Sequence, residues 1–304
     1  MYSKGILATM KISKAVITSA GFGTRFLPIT KTIQKEMLPI LNRPLVDYVV
    51  EDCIKAGITD IIFIISEHNS QLVHFYRENK RLYEYLKRMN KLDQYESVSH
   101  LHTQANYTFI KQDDSETYGT ATPVKLAKEQ LKDEEAFLVF MGDDFIFNAD
   151  GSSETKRMIE TFTQSNAAGL ATCIERPKSI LHKYGIAKIK EKNHFTYLSG
   201  LVEKPAPGSA PSNLANISKY IFTPAIFEII EKQTVNPGSG ELYITDSITQ
   251  LAQQAPVVIH TPAGEYLDGG YVLGWLKANL MVARSQPELA RELQELITEL
   301  FPSN

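Results

Sequence analysis

The sequence predicts an α/β fold: a Rossmann-like sheet, mixed but mostly parallel, flanked by helices and followed by a helical tail. Three observations carry that reading. Short apolar runs bounded by turn residues alternate with stretches of helical spacing along the whole chain. The run Asp60-Ile61-Ile62-Phe63-Ile64-Ile65 is apolar on both faces, as a strand buried inside a parallel sheet must be. The first apolar run, Ala15-Val16-Ile17, leads into Ala20-Gly21-Phe22-Gly23-Thr24-Arg25, where a strand hands over to a glycine loop.

Taken in order, residues 14–19 form the first strand. Residues 44–56 form a helix: Pro44 suits its first turn, Leu45, Tyr48, Val49 and Cys53 share a face, and Gly57 ends it. Residues 60–65 are the second strand. The charged, aromatic stretch 75–99 places Tyr83, Leu86, Met89 and Leu92 at helical spacing and reads as two solvated helices projecting from the sheet. A strand over 107–110, a helix over 123–131 and a strand over 136–140 follow. Strands over 167–174, 185–190, 195–197, 201–202 and 214–222 come next, then helices over 224–232 and 246–253. A strand over 257–259 precedes closing helices over 271–283 and 287–300. No internal repeat or low-complexity linker divides the chain. The simplest partition is one domain over 14–270, with a helical insertion at about 75–100, and helices in 271–304 packed on it.

Composition limits the function classes. The formal net charge of −3 offers no basic surface for nucleic acid or an anionic membrane, so any phosphate site must be a local cluster. No run approaches the roughly 20 apolar residues that span a bilayer. Cys53 and Cys173 sit in apolar patterns without metal-ligand spacing and read as reduced core thiols of a cytoplasmic protein. Residues 1–13 lack a long apolar segment and a small-residue cleavage site. They read as a disordered leader rather than a secretory signal, with Met10 as an alternative start.

The glycine loop is the most informative stretch. Ala20, Gly21, Gly23 and Thr24 present backbone amides to an anion, and Arg25 with Lys35 adds charge for phosphate oxygens. A dinucleotide fingerprint fails because Phe26 occupies the third glycine position, and Asp47, the nearest acid at the required distance, lies in a helical pattern. A Walker loop fails because Phe26-Leu27 stands where Gly-Lys belongs. What remains, Gly-x-Gly-Thr-Arg followed by Lys35-Glu36-Met37-Leu38-Pro39, resembles the signature of the sugar-phosphate nucleotidyltransferases, in the form borne by their bacterial uridylyltransferase branch.

Ligands of open α/β sheets sit beyond the carboxyl ends of the strands, which selects the residues after each apolar run. Those are Ala20-Gly21, Lys111-Gln112, Gly142-Asp143-Asp144, Glu203-Lys204-Pro205 and Asp268-Gly269-Gly270. The set suits an attack by one phosphate on another, where charge neutralisation and in-line placement dominate. The resemblance implies a nucleotidyltransferase fold over about residues 14–280, UTP and glucose-1-phosphate as substrates, Mg2+ as cofactor, and a homo-oligomer, dimer or tetramer. It implies Arg25 and Lys35 as the catalytic cations, and Asp143 and Asp268 as the metal acids. Asp144 reads as a strand-end acid without chemistry. Gln112, with donor and acceptor on one amide, matches the uracil edge. Gly119 lets backbone approach the same base, and Glu36 reaches base or ribose. Gly185, Glu203 and Lys204 form the sugar-phosphate side.

The chain departs from the family pattern in places. Gln34 stands for Pro, Asn42-Arg43 for Asp-Lys, Gly142 for Pro before Asp143, and Gly269-Gly270-Tyr271 for Cys-Gly-Asn. None removes a charged group the chemistry needs. A transferase for another sugar-1-phosphate or another pyrimidine triphosphate, and a non-catalytic regulatory paralogue, are the competing readings. The second should have lost Arg25, Lys35 or one acid, and it has not.

Overall fold

The computed structural model describes residues 11–301. The expected leader over 1–13 and Met10 fall outside them, except for residues 11–13. There Ile12 is packed into the core and the Ser13 carbonyl accepts from the amides of Thr59 and Asp60, so these residues are part of the folded unit rather than a disordered leader.

The chain forms β1 (Lys14–Ser19), a small hairpin of β2 (Pro39–Ile40) and β3 (Arg43–Pro44), α1 (Leu45–Lys55) and β4 (Asp60–Ser66). A helical excursion of α2 (Gln71–Phe75), α3 (Lys80–Arg88) and α4 (Glu96–Ser99) precedes β5 (Asn106–Gln112). Then come α5 (Thr122–Leu126), α6 (Lys128–Leu131), β6 (Phe137–Met141), β7 (Asp144–Phe147), α7 (Glu154–Ser165) and β8 (Gly169–Glu175). A hairpin of β9 (Gly185–Lys192) and β10 (Phe195–Glu203) leads to β11 (Leu214–Phe222), α8 (Ala225–Lys232) and α9 (Ile244–Gln254). The described chain closes with β12 (Val257–His260), β13 (Glu265–Asp268), α10 (Val272–Ser285) and α11 (Pro287–Leu300).

Nine strands make one sheet in the order β5-β4-β1-β6-β11-β8-β12-β10-β9. The first four are mutually parallel. β11 runs antiparallel between β6 and β8, β12 is parallel to β8, and β10 is antiparallel to both β12 and β9. The chain leaves β1 toward β4 on one side, while β6 lies on the other. The carboxyl ends of β1 and β6 therefore flank a switch point, where a ligand crevice opens in such sheets.

Alternation along the central strands feeds two cores. Ala15, Ile17, Ile61 and Phe63 pack with α1, α7 and α10. Val16, Ile62 and Ile64 pack with α5, α8 and α9. α10 is tied to the hairpin: Trp275 Nε1 donates to the Pro39 carbonyl at 2.9 Å, and Asn279 Oδ1 accepts from the Leu41 amide at 2.9 Å.

The structure corrects several expected elements. The helix over 123–131 is two short helices parted at Ala127. The two strands over 195–202 are one, β10, with a register shift between Leu198 and Gly200. α7 and the antiparallel pair β7–β13 were not foreseen. The α7 signal was present in Ser153, whose side chain accepts from the Lys156 amide, ahead of Met158 and Phe162 on one face. Its other cap comes from far away: Asp52 of α1 accepts from the amides of Glu154 and Thr155.

Candidate active site

A cleft opens at the switch point, lined by Ala20 and Gly21 from the loop after β1, Met141 and Asp143 from the end of β6, and Gln112 from the end of β5. The amides of Gly21, Phe22 and Gly23 donate to no protein acceptor among the described residues, which leaves them for an anion. Gly23 has φ of 63°, a left-handed backbone that L side chains rarely adopt, and its carbonyl accepts from Thr30 Oγ1 at 2.8 Å. Three tight turns, Thr24–Phe26, Ile29–Lys31 and Lys35–Met37, then fold the chain back and return Lys35 beneath Gly21. Gly23 and Thr24 shape this loop without lining the cleft.

Lys35 Nζ donates to Asp143 Oδ2 at 2.5 Å and lies 3.7 Å from Glu36 Oε1. Burial opposes the charge of both members of the Lys35–Asp143 pair. Their mutual attraction outweighs it, holding the ammonium above its ordinary range and the carboxyl below. Arg25, Asp143 and Asp268 converge on Gly270. A β-carbon there would stand 2.6 Å from Asp143 Oδ2, 3.1 Å from Asp268 Oδ1 and 3.3 Å from an Arg25 terminal nitrogen. Asp268 Oδ1 accepts from the Gly270 amide at 2.9 Å, and burial raises its carboxyl above the usual range. The glycine after the second acid thus makes room for two carboxylates and a guanidinium at one point. Two acids that meet at one glycine suit a hard divalent cation whose other ligands are phosphate oxygens and water. No group of three or more His, Cys, Asp or Glu that could by itself hold a metal ion occurs among the described residues.

Gln112 and Glu36 are buried polar residues of the cleft that carry open acceptors. Gln112 Oε1 and both Glu36 carboxylate oxygens lack a hydrogen-bond partner, and Glu36 is only 1% exposed. Burial pushes the Glu36 carboxyl up to about 7. Buried acceptors left open are costly unless something else fills them, and these two face the cleft, which makes them candidates to receive a ligand's donors. Gly119 also lines the cleft, but its glycine has another cause. A β-carbon there would meet the Leu242 backbone, and the chains on either side are stitched by Leu242 N to Tyr118 O and Ala121 N to Leu242 O, each 2.9 Å. The rings of Tyr118 and Phe22 stack at the cleft mouth with centroids 6.0 Å apart.

Gly185, Glu203 and Lys204 form a second cluster. β9 and β10 pair Gly185 with Glu203, and a β-carbon on Gly185 would lie 3.0 Å from Glu203 Oε2. Burial raises the Glu203 carboxyl, with Lys204 opposing and Asp246 adding. Lys204 has φ of 44° and its ammonium is 4.0 Å from Glu203. The first turn of α9 joins this cluster to the cleft: Thr245 faces Gly185, and the Ile244 amide donates to Thr120 Oγ1 on the cleft wall.

Asp144 plays a different part from Asp143. It accepts from buried Lys219 at 2.6 Å and from the Tyr266 hydroxyl at 3.0 Å, which locks β7 and β13 to β11. Thr18, Tyr118 and Glu241 line the cleft and were not singled out from the sequence. Glu241 stands next to Leu242, whose backbone is stitched to Ala121 and to Tyr118 on the cleft wall. Thr18 carried no signal, because it sits inside β1. No helix among the described residues is long and apolar enough to cross a membrane.

Comparison with known proteins gives the family and the fold. The family model described as nucleotidyl transferase matches residues 14–284. The UTP--glucose-1-phosphate uridylyltransferase of Staphylococcus haemolyticus is 36% identical over 294 residues, covering 95% of this chain and 99% of that one. A second, from Staphylococcus saprophyticus, is 33% identical over 96% of this chain and 99% of its own. The solved structure of a UTP-bound UGPase from Acinetobacter baumannii superposes with a TM-score of 0.86 at 29% identity, over 96% of this chain and all of that one. A UDP-glucose pyrophosphorylase complexed with UDP-glucose superposes with a TM-score of 0.78 at 28% identity, over 91% of this chain and all of that one. On the match over residues 14–284 and these near-full-length relatives, the chain belongs to the nucleotidyl transferase family.

Proposed function

We propose that the chain transfers UMP from UTP to glucose-1-phosphate, giving UDP-glucose and pyrophosphate. The observation that carries this reading is the convergence of Arg25, Lys35, Asp143 and Asp268 at the switch-point cleft. The likeness to the curated uridylyltransferases supports the choice of substrates.

An oxygen of the sugar phosphate forms a bond to the α-phosphorus of UTP. The bond from that phosphorus to the bridging oxygen of the β-phosphate breaks, and pyrophosphate departs with the electron pair. The nucleophile is already an anion, so no general base is required, and the obstacle is repulsion between two polyanions. Arg25 and the free amides of the glycine loop receive the triphosphate. Lys35, seated against Gly21, meets the α-phosphate and the charge that grows on the leaving group. Gln112 and Glu36 offer their open oxygens to base and ribose, and Gly185, Glu203 and Lys204 hold the sugar phosphate. Asp143 and Asp268 would hold Mg2+, which when bound neutralises phosphate charge and draws the reacting groups into line.

Residues 14–270 act as the catalytic domain, with α10 packed on it and α11 lying against α10. A homo-oligomer suits the tail, because Leu273, Leu276, Leu296, Leu300 and Phe301 leave an apolar surface exposed on α10 and α11. Two buried, unpaired thiols suit the cytoplasm. Pyrophosphate release across a panel of nucleoside triphosphates and sugar-1-phosphates tests the reading. UTP with glucose-1-phosphate should give the highest kcat/KM. A better rate with another sugar phosphate would reassign the substrate, and no release with any pair would remove the activity.

A further inference from the structure

We propose that Arg176 is a phosphate-binding residue for the sugar phosphate, placed between the Asp143–Asp268 pair and the Gly185–Glu203 cluster; this rests on the uridylyl-transfer reading above. Arg176 follows the last residue of β8, and its backbone amide is fixed by a 3.0 Å bond to the Asn213 carbonyl. The guanidinium carbon lies 5.7 Å from the ring centre of Tyr266 and 5.9 Å from that of Tyr184. Nε is buried without a partner, and no carboxylate pairs with the guanidinium among the described residues. The contrast with the other half-buried arginines is informative. Arg43 holds Asp47 and Glu51, and Arg157 holds Glu154. Arg176 alone among these three keeps its charge unspent.

The two rings show where that charge is aimed. Tyr266 stands two residues before Asp268 on β13, and its hydroxyl donates at 3.0 Å to Oδ2 of Asp144, the β7 partner of Asp268. That ring therefore borders the acids. Tyr184 precedes Gly185, and its carbonyl accepts from the Lys204 amide at 3.0 Å. The Tyr184–Gly185 segment therefore borders the sugar cluster. A sugar phosphate with its hydroxyls on Glu203 and its phosphate at the α-phosphorus must span these two borders. Arg176 lies at their junction. Its planar fork can present two N–H groups to one phosphate, and the flanking rings hold the plane, so little freedom is lost on binding. Lys204, the cation singled out from the sequence, is 67% exposed along its side chain and offers only a point charge.

The test is steady-state kinetics of the full chain carrying Arg176→Gln or Arg176→Lys. Loss of a charge-assisted pair should raise the KM for glucose-1-phosphate by about ten- to a hundredfold in Arg176→Gln. The KM for UTP should stay within about twofold, and Arg176→Lys should fall between wild type and Arg176→Gln. Inorganic phosphate should compete with glucose-1-phosphate on the wild type and lose that effect in Arg176→Gln. If Arg176→Gln does not fold, Arg176→Lys carries the test, since loss of the fork alone must still raise the sugar-phosphate KM. An unchanged sugar-phosphate KM, or an equal rise in both KM values, overturns the assignment in favour of cation–ring packing. A wild-type chain that releases no pyrophosphate with any sugar phosphate overturns the functional reading itself, and the assignment with it.

Discussion

Lys35 Nζ and Asp143 Oδ2 stand 2.5 Å apart, joined across 108 positions of sequence. One comes from the turns after the glycine loop and the other from the end of β6, so the pair ties the two walls of the cleft together. Each holds the other ionised in a buried place that would otherwise discharge it.

Lys35→Ala is therefore expected to lower kcat by about a hundredfold to a thousandfold, because its contact strengthens as charge develops. The KM for UTP should change less. Combined with Asp143→Asn, the loss should be smaller than the sum of the two single losses, since each residue acts through the other. Fully additive losses in a double-mutant cycle would show that the pair does not act as a unit.

Asp143→Asn and Asp268→Asn should fold as the wild type does and lose most turnover, with a higher Mg2+ requirement in whatever activity remains. Thermal unfolding and initial rates over a Mg2+ series check both points. Near-normal turnover in either variant at ordinary Mg2+ would strike that residue from the metal pair.

Gln112→Ala removes an open buried acceptor and the amide beside it. The KM for UTP should rise, and its lead over the other triphosphates should narrow by about tenfold or more, the cost of an unmatched polar edge. Competition assays with CTP and dTTP measure this. Intact selectivity would move base reading to the backbone around Ala20 and Gly119.

Away from the cleft, Glu154 sets an acid limit on stability. Burial opposes its ionisation, but hydrogen bonds from His260 and the amides of Gly264 and Ala263 outweigh that and bring the carboxyl down to about 2 from an ordinary 4.5. A carboxyl lowered on folding stabilises the fold above its unfolded value and loses that contribution as pH falls through the folded one. Between about pH 4.5 and pH 2 the protein should lose about 3 kcal/mol from this group. Denaturant unfolding of Glu154→Gln over that range should show a shallower pH dependence, and a slope equal to wild type would remove Glu154 as its source.

Much of this was legible in the sequence where chemistry is local. The glycine loop, Lys35 and Asp143 each sit beside an apolar run, and the sheet brought them together as strand ends must. The mixed half of the sheet was harder to read. β7 and β13 have four residues each and pair across more than a hundred positions, so no local periodicity marks them. Gly119 was legible as a glycine but not in its cause, since the Leu242 backbone that excludes its β-carbon comes from a distant loop. Asp143 and Asp144 look alike in sequence, and their partners separate them: Lys35 for the first, buried Lys219 and the Tyr266 hydroxyl for the second. Arg176 carries no motif at all. Its meaning depends on two tyrosines supplied by separate segments.

The central claim, attack by a sugar phosphate on the α-phosphorus of UTP, is tested most directly by following the label of α-32P-UTP incubated with the chain, glucose-1-phosphate and Mg2+. Label should pass quantitatively into UDP-glucose with one pyrophosphate released per turnover, and Lys35→Ala should slow that transfer without changing its product. Label recovered in UMP, or UTP left unchanged at saturating glucose-1-phosphate, would contradict the account.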